Sequence, residues 1–176
     1  MRLFAAVPIP EPVKDSFLDL QHGVRGARWR QRENVHITLC FFGEVDAAQA
    51  DELMAGLGDI HAPTLILQPA RGGVFGQRKP RTLWAGLEPN PELDKLAGAC
   101  IRVAREVGLA APGKRYVPHI TLAYCRGTRD VDAAQFLQRM SGWAVPPFPV
   151  DHFNLYRSEL GRHPARHTVE AQYPLA

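Results

Sequence analysis

The sequence predicts an α+β domain with helices packed outside mainly antiparallel sheets, on three observations. Strand-like and helical stretches interleave irregularly along 176 residues. The tetrapeptide His-Ile-Thr-Leu recurs at 36–39 and 119–122, each time inside a β-like run. Apolar residues make up 45% and charged residues 22%, the balance of a chain that buries a core rather than one that stays disordered. The recurrence points to two pseudo-equivalent lobes around a groove, inside a single two-lobed domain spanning 1–176.

Taken in order, residues 2–7 (RLFAAV) read as a strand, and 13–22 as a short helix introduced by Pro10 and Pro12. Val35 to Phe42 is strand-like and closed by Gly43. Asp46 followed by Gln49 forms a capping-box pattern for a helix to Leu57. Residues 64–68 and 82–87 are strand candidates on either side of a Gly/Arg/Pro-rich segment, 71–81, that reads as a long loop. The clearest helix is 91–107. Leu93, Leu96, Ala97, Cys100, Ile101, Ala104 and Val107 recur at helical spacing, with Asn90 as N-cap, Pro91 at the first helical position and Gly108 past the end. A strand over 117–124, a helix over 132–140, and strands over 148–156 and 167–173 complete the reading.

The composition also excludes classes of function. No apolar run approaches the roughly 18 residues of a membrane span, and MRLFAAVPIPEP lacks the pattern of a secretory signal, so a cytoplasmic protein without a membrane partner is expected. Cys40, Cys100 and Cys125 are widely spaced with no C-x-x-C pair, which reads as free thiols. Net charge is +3, yet 17 of the 21 basic residues are arginine, clustered at 25–32, 71–81 and 125–129. Guanidinium forks match phosphate oxygens, and a modest positive bias gathered in loops suits a short anionic ligand better than a long duplex. No heptad or exposed apolar repeat argues for an oligomer, and a monomer is the default.

Strand alternation gives the repeated tetrapeptide its chemical meaning. Side chains at i and i+2 share a face, so His36 and Thr38 point together while Val35, Ile37, Leu39 and Phe41 point the other way. His119 and Thr121 repeat the arrangement against Ile120 and Leu122. If the strands meet across a groove, two imidazoles and two hydroxyls converge. Imidazoles with an ordinary pKa of about 6.5 supply both a base and an acid near neutrality. Hydroxyls aimed at phosphorus stabilise the charge that builds on its nonbridging oxygens. Opening a cyclic phosphodiester needs this set and calls for no metal and no cofactor. The plain alternative is two satisfied histidines beside β-favouring threonines.

These motifs resemble the hallmark of the two-histidine (2H) phosphoesterase superfamily. RLFAAVPIPEPV, RWRQRENVHITLCFFGEVD, PRTLWAGL, the long helix, YVPHITLAYCR and FNLYRSELG resemble, in order, its RNA 2′,3′-cyclic phosphodiesterase branch, also called 2′-5′ RNA ligases. The resemblance implies a bilobal fold of two mainly antiparallel sheets with helices outside and a central cleft. It implies hydrolysis of a terminal 2′,3′-cyclic phosphate, on RNA or a small cyclic nucleotide, to a 2′-phosphomonoester. By the same resemblance His36 is the proton donor, His119 the proton acceptor, and Thr38 and Thr121 contact the phosphate; sequence symmetry alone does not tell acid from base. Relatives often carry arginine where this chain has Tyr124, so Arg126 is the nearby candidate for substrate binding, reaching the cleft if the strand bends near Cys125. Two alternatives stay open: ligation of RNA ends by the reverse reaction, and a non-catalytic module that holds RNA ends.

The other histidines carry less. His163 and His167 have H-x-x-x-H spacing, but Gly161 and Pro164 argue against the helix that a zinc pair needs. His22, His61 and His152 read as solvated or capping groups. Trp29, Phe42, Trp84 and Tyr156 are either core or platforms for a base.

Overall fold

The computed structural model describes residues 1–76, 78–110, 113, 115–159, 161 and 165–176. The apolar N-terminal run becomes the middle of the sheet. Strand β1 (Arg2–Pro8) pairs antiparallel with β3 (His36–Glu44) on one side and with β9 (His152–Glu159) on the other, and Leu3 through Val7 are all buried. Strand β10 (Arg166–Pro174) adds to β9. Beyond β3 lie β7 (His119–Cys125), β6 (Thr82–Leu87) and β5 (Pro69–Phe75), and β2 (Ala27–Trp29) also pairs with β7. All pairings are antiparallel, and the two halves of the sheet meet at one register pair, Ile37 with Ile120. A second sheet pairs β4 (Leu65–Leu67) with β8 (Phe148–Val150). The predicted α+β architecture, with two antiparallel sheets and a cleft, is the one observed.

Four helices complete the described chain: α1 (Glu11–Leu18), α2 (Ala47–Gly58), α3 (Pro91–Glu106) and α4 (Asp130–Met140). In α2, Asp46 accepts from the Gln49 amide at 2.8 Å and the Gln49 side chain accepts from the Asp46 amide, the box read from sequence. In α3, Asn90 accepts from the Leu93 amide at 3.0 Å, and the predicted stripe faces β3 and α2. Helix α1 begins and ends earlier than predicted. Prolines fit the first turn, whose N–H groups have no intrahelical acceptor, so Pro10 caps the helix and Pro12 lies inside it. Arg32, in the 3₁₀ turn just before β3, bonds Glu11 and Asp15 and ties α1 to the first motif. The cysteines are free, with Cys40 and Cys100 buried.

Three predicted boundaries shift for physical reasons. Gly43 does not close its strand. With φ at 76° it forms part of a bulge opposite Leu3 and Phe4, and β3 runs on to Glu44. Segment 71–81 is not all loop, because 69–75 is strand β5. Its glycines make the strand possible: a Cβ on Gly73 would collide with the Trp84 indole, and one on Gly72 with the Met140 thioether. The run 148–156 splits at Asp151, whose carbonyl accepts from the Leu175 amide at 2.7 Å as the chain passes from one sheet to the other. Among the described residues no helix is long and apolar enough to cross a membrane.

Candidate active site

The two motif strands match in burial as well as in sequence. In each, the histidine and threonine are half-buried, and the isoleucine between them is fully buried. Each strand then departs from simple alternation. The register slips at Leu39 against β1 and at Leu122 against β6, leaving two consecutive buried residues, Leu39–Cys40 and Leu122–Ala123. These bulges reverse the phase, so Phe41 and Tyr124, 58% and 48% exposed, return to the face of the histidines. Phe41 therefore corrects the alternation read from sequence.

Ile37 and Ile120 form the rung between the strands. Their antiparallel sense sets His36 opposite Thr121 and Thr38 opposite His119. All four line one cleft of about 410 Å³, together with Phe4, Phe41, Phe75, Thr82, Tyr124, Arg2, Arg30 and His167. A larger cavity of about 710 Å³ adjoins it, sharing Thr38, Phe41, Phe75, His119 and Tyr124 and reaching Arg81, Arg115 and Tyr116. Among the described residues no carboxylate lines either cavity.

The two imidazoles have different partners. His119 Nδ1 lies 2.7 Å from the Val117 carbonyl, which only accepts, so Nδ1 carries a proton and neutral His119 presents a lone pair at Nε2. Phe75 meets its ring edge-on at 5.0 Å, and Trp84 lies behind at 5.9 Å. Burial lowers the His119 pKa, and the Val117 bond partly offsets this. His36 has no hydrogen-bond partner for its ring nitrogens among the described residues; rings wall it in. Phe4 is at 5.1 Å, Tyr156 stacks at 5.9 Å, and His167 crosses edge-on at 5.7 Å. Burial first, then the Arg30 charge, pushes its pKa down to about 3. Both imidazoles of the free protein are thus neutral at pH 7.

The cleft also takes in Arg30, one of the clustered arginines of 25–32, and His167, which the sequence offers only as half of a disfavoured zinc pair. Arg30 stands at the end of β2; Trp29 beside it turns inward against Phe136, sending Arg30 to the cleft side. Its guanidinium lies over the Tyr124 ring at 5.3 Å and beside His167 Nε2 at 3.4 Å. His167 arrives from β10, and burial lowers its pKa to about 4. Its H-x-x-x-H partner, His163, lies outside the described residues. Arg126 stands apart from the four motif side chains. The chain leaves β7 at Cys125, the Arg126 amide bonds the Gly26 carbonyl at 2.9 Å, and the exposed side chain does not line the cleft. Of the four proposed base platforms, Phe42 is core, Trp29 packs on Phe136, and Trp84 and Tyr156 lie behind the histidines. Phe41, Phe75 and Tyr124 face the open space instead. Among the described residues there is no group of three His, Cys, Asp or Glu side chains placed to share a metal ion.

Residues 10–162 match the family model of the 2′-5′ RNA ligase superfamily. The chain belongs to this superfamily. Members similar to it include an RNA 2′,3′-cyclic phosphodiesterase of Archaeoglobus fulgidus, 26% identical over 91% of this chain and 92% of the relative. Another, from Aeropyrum pernix, is 30% identical over 74% of this chain and 76% of the relative. Among solved structures, TT0787 of Thermus thermophilus superposes with a TM-score of 0.82 at 27% identity, covering 99% of this chain and 98% of that one. E. coli LigT complexed with 3′-AMP gives 0.81 at 25% identity, with the same coverage. The superfamily's two-histidine fold is thus the fold of this chain.

Proposed function

We propose that this protein is an RNA 2′,3′-cyclic phosphodiesterase that opens the ring to a 2′-phosphomonoester with His119 as base and His36 as acid. The observation that carries the reading is the unequal pair of imidazoles in one cleft: His119, its Nδ1 proton committed to Val117, keeps Nε2 free to accept from water. Water oxygen forms a bond to phosphorus as its proton passes to His119 Nε2. The P–O3′ bond breaks as His36 protonates the leaving oxygen. Exchange with solvent then resets both histidines.

His36 needs a proton that the cleft by itself withholds. Burial and Arg30 disfavour imidazolium there, whereas a cyclic phosphate monoanion brings the opposite charge and raises the His36 pKa in the complex. The acid is thereby armed by its substrate. Thr38 and Thr121, each across the rung from a histidine and lining the same cleft, donate to the nonbridging oxygens in this reading. Phe41, Phe75 and Tyr124 offer faces on which unpaired bases stack, and cavity walls without a carboxylate among their described residues suit a polyanion. The relatives' names support RNA as the substrate class.

The test is incubation of a short RNA ending in a 2′,3′-cyclic phosphate, in excess EDTA, with identification of the product isomer. A 2′-phosphate is expected. Untouched RNA with retained end binding would favour a non-catalytic module.

A further inference from the structure

Resting on that reading, we infer that Arg30 is the phosphate-binding cation of this cleft, with Tyr124 and His167 as the side chains that hold its guanidinium in place. Strand β2 is short, but its position is tightly fixed. Arg28 pairs with Tyr124 and Trp29 with Ala123, and the Arg30 amide donates to the carbonyl of Leu122, the bulged residue of the second motif strand, at 2.8 Å. The bulge that turns Tyr124 toward the cleft is thus the point to which Arg30 is anchored.

The guanidinium has five N–H donors and little to satisfy them. Nη2 reaches the Asn34 carbonyl and His167 Nε2, both at 3.4 Å, while Nε is buried with no partner. Among the described residues no salt bridge engages Arg30, and no carboxylate lines the cleft. A cation removed from water without an anion is unfavourable, and proteins balance one by pairing it. Here the missing partner is the ligand. A phosphodiester monoanion presents planar pairs of oxygens that a guanidinium fork matches.

Its neighbours are suited to positioning. The Tyr124 ring lies 5.3 Å from the guanidinium carbon, a cation–π contact that occupies none of the N–H donors. Arg30 only donates, so His167 must accept at Nε2 and stay neutral, in keeping with its lowered pKa. His167 therefore steadies Arg30 without adding a competing charge.

The test uses Arg30→Ala and Arg30→Met, the second filling the volume so that the fold survives. Both should lower kcat/KM on a cyclic-phosphate RNA by about 10²- to 10³-fold, the usual effect of removing one oxyanion donor. Millimolar guanidinium ion should restore part of the activity of Arg30→Ala, which a purely structural role does not allow. Binding of inorganic phosphate, read by ³¹P NMR, should weaken in parallel. Tyr124→Leu and His167→Phe should show smaller losses of about tenfold. Folded Arg30→Met with kcat/KM and phosphate affinity within about twofold of wild type overturns the inference. If wild type does not turn over the RNA, the phosphodiesterase reading fails, while the phosphate titration still decides the role of Arg30.

Discussion

The strands β3 and β7 carry the same tetrapeptide, the same bulge and, over their first six residues, the same pattern of burial, yet their histidines sit in unlike surroundings. His119 is oriented by a carbonyl two residues before it in the chain. His36 is enclosed by Phe4, Tyr156 and His167, and it feels Arg30, all brought from other strands. A repeated motif therefore supplies two equal side chains, and their neighbours make the two imidazoles unequal, which is the ground for the proposed division into base and acid.

The largest expected effect breaks the comparison outright. His119→Ala and His36→Ala should each lower kcat by about 10²- to 10⁴-fold, because each removes one proton-transfer partner. Single-turnover kinetics check this, and near-wild-type turnover in either variant sinks the assignment. A sharper probe follows the protonation states by NMR. In the free protein the His36 resonance should titrate near pH 3, and adding a 2′-nucleotide product should move that midpoint upward by more than it moves the one of His119. Equal movement of both would deny the division of labour.

Acid stability separates the two halves further. His36 and His167 belong to the β10–β9–β1–β3 half, and their pKa values fall from 6.5 to about 3 and about 4. A group with a depressed folded pKa binds protons more readily once unfolded. Its stabilisation is complete above 6.5 and is lost as pH falls toward the folded value. The melting temperature should drop between pH 6.5 and 4, and less steeply in His167→Phe. Smaller again is the effect of Gly73→Ala, which drives a Cβ into Trp84 behind His119. A loss of about 1–3 kcal/mol is expected, with catalysis disturbed on the His119 side alone. Denaturant unfolding and the His36 titration check both parts. The smallest effects are those of Thr38→Ala and Thr121→Ala, about tenfold in kcat and nearly equal, since each hydroxyl faces the opposite strand's histidine across one rung.

Much of this site was legible from local pattern. Period-2 alternation identified the faces of His36, Thr38, His119 and Thr121, and capping chemistry located α2 and α3, because both depend on residues a few positions apart. The bulges at Leu39 and Leu122 were not legible, since a register slip belongs to two strands, and with them went the placement of Phe41 and Tyr124. β5 was hidden because glycine lowers strand propensity, and its reason for being there, the Trp84 indole, is cross-strand. The arginine cluster at 25–32 was visible, but picking Arg30 from it required knowing that Trp29 turns inward onto Phe136. His167 meets Arg30 from 137 residues away in sequence, and no local signal announces that contact.

The rung of Ile37 and Ile120 has one further consequence. Each histidine is bonded through the chain to one of these isoleucines, so the gap between the two imidazoles is set by a single backbone pairing, like the jaw of a caliper. Sites borne on paired strands hold their geometry more closely than sites borne on loops. The loops and outer strands on either side can vary, and under the proposed function accept different ligand bodies, while the two histidines keep their backbone separation. Under the proposed function, substrate range and reaction geometry are thereby governed by separate parts of the molecule.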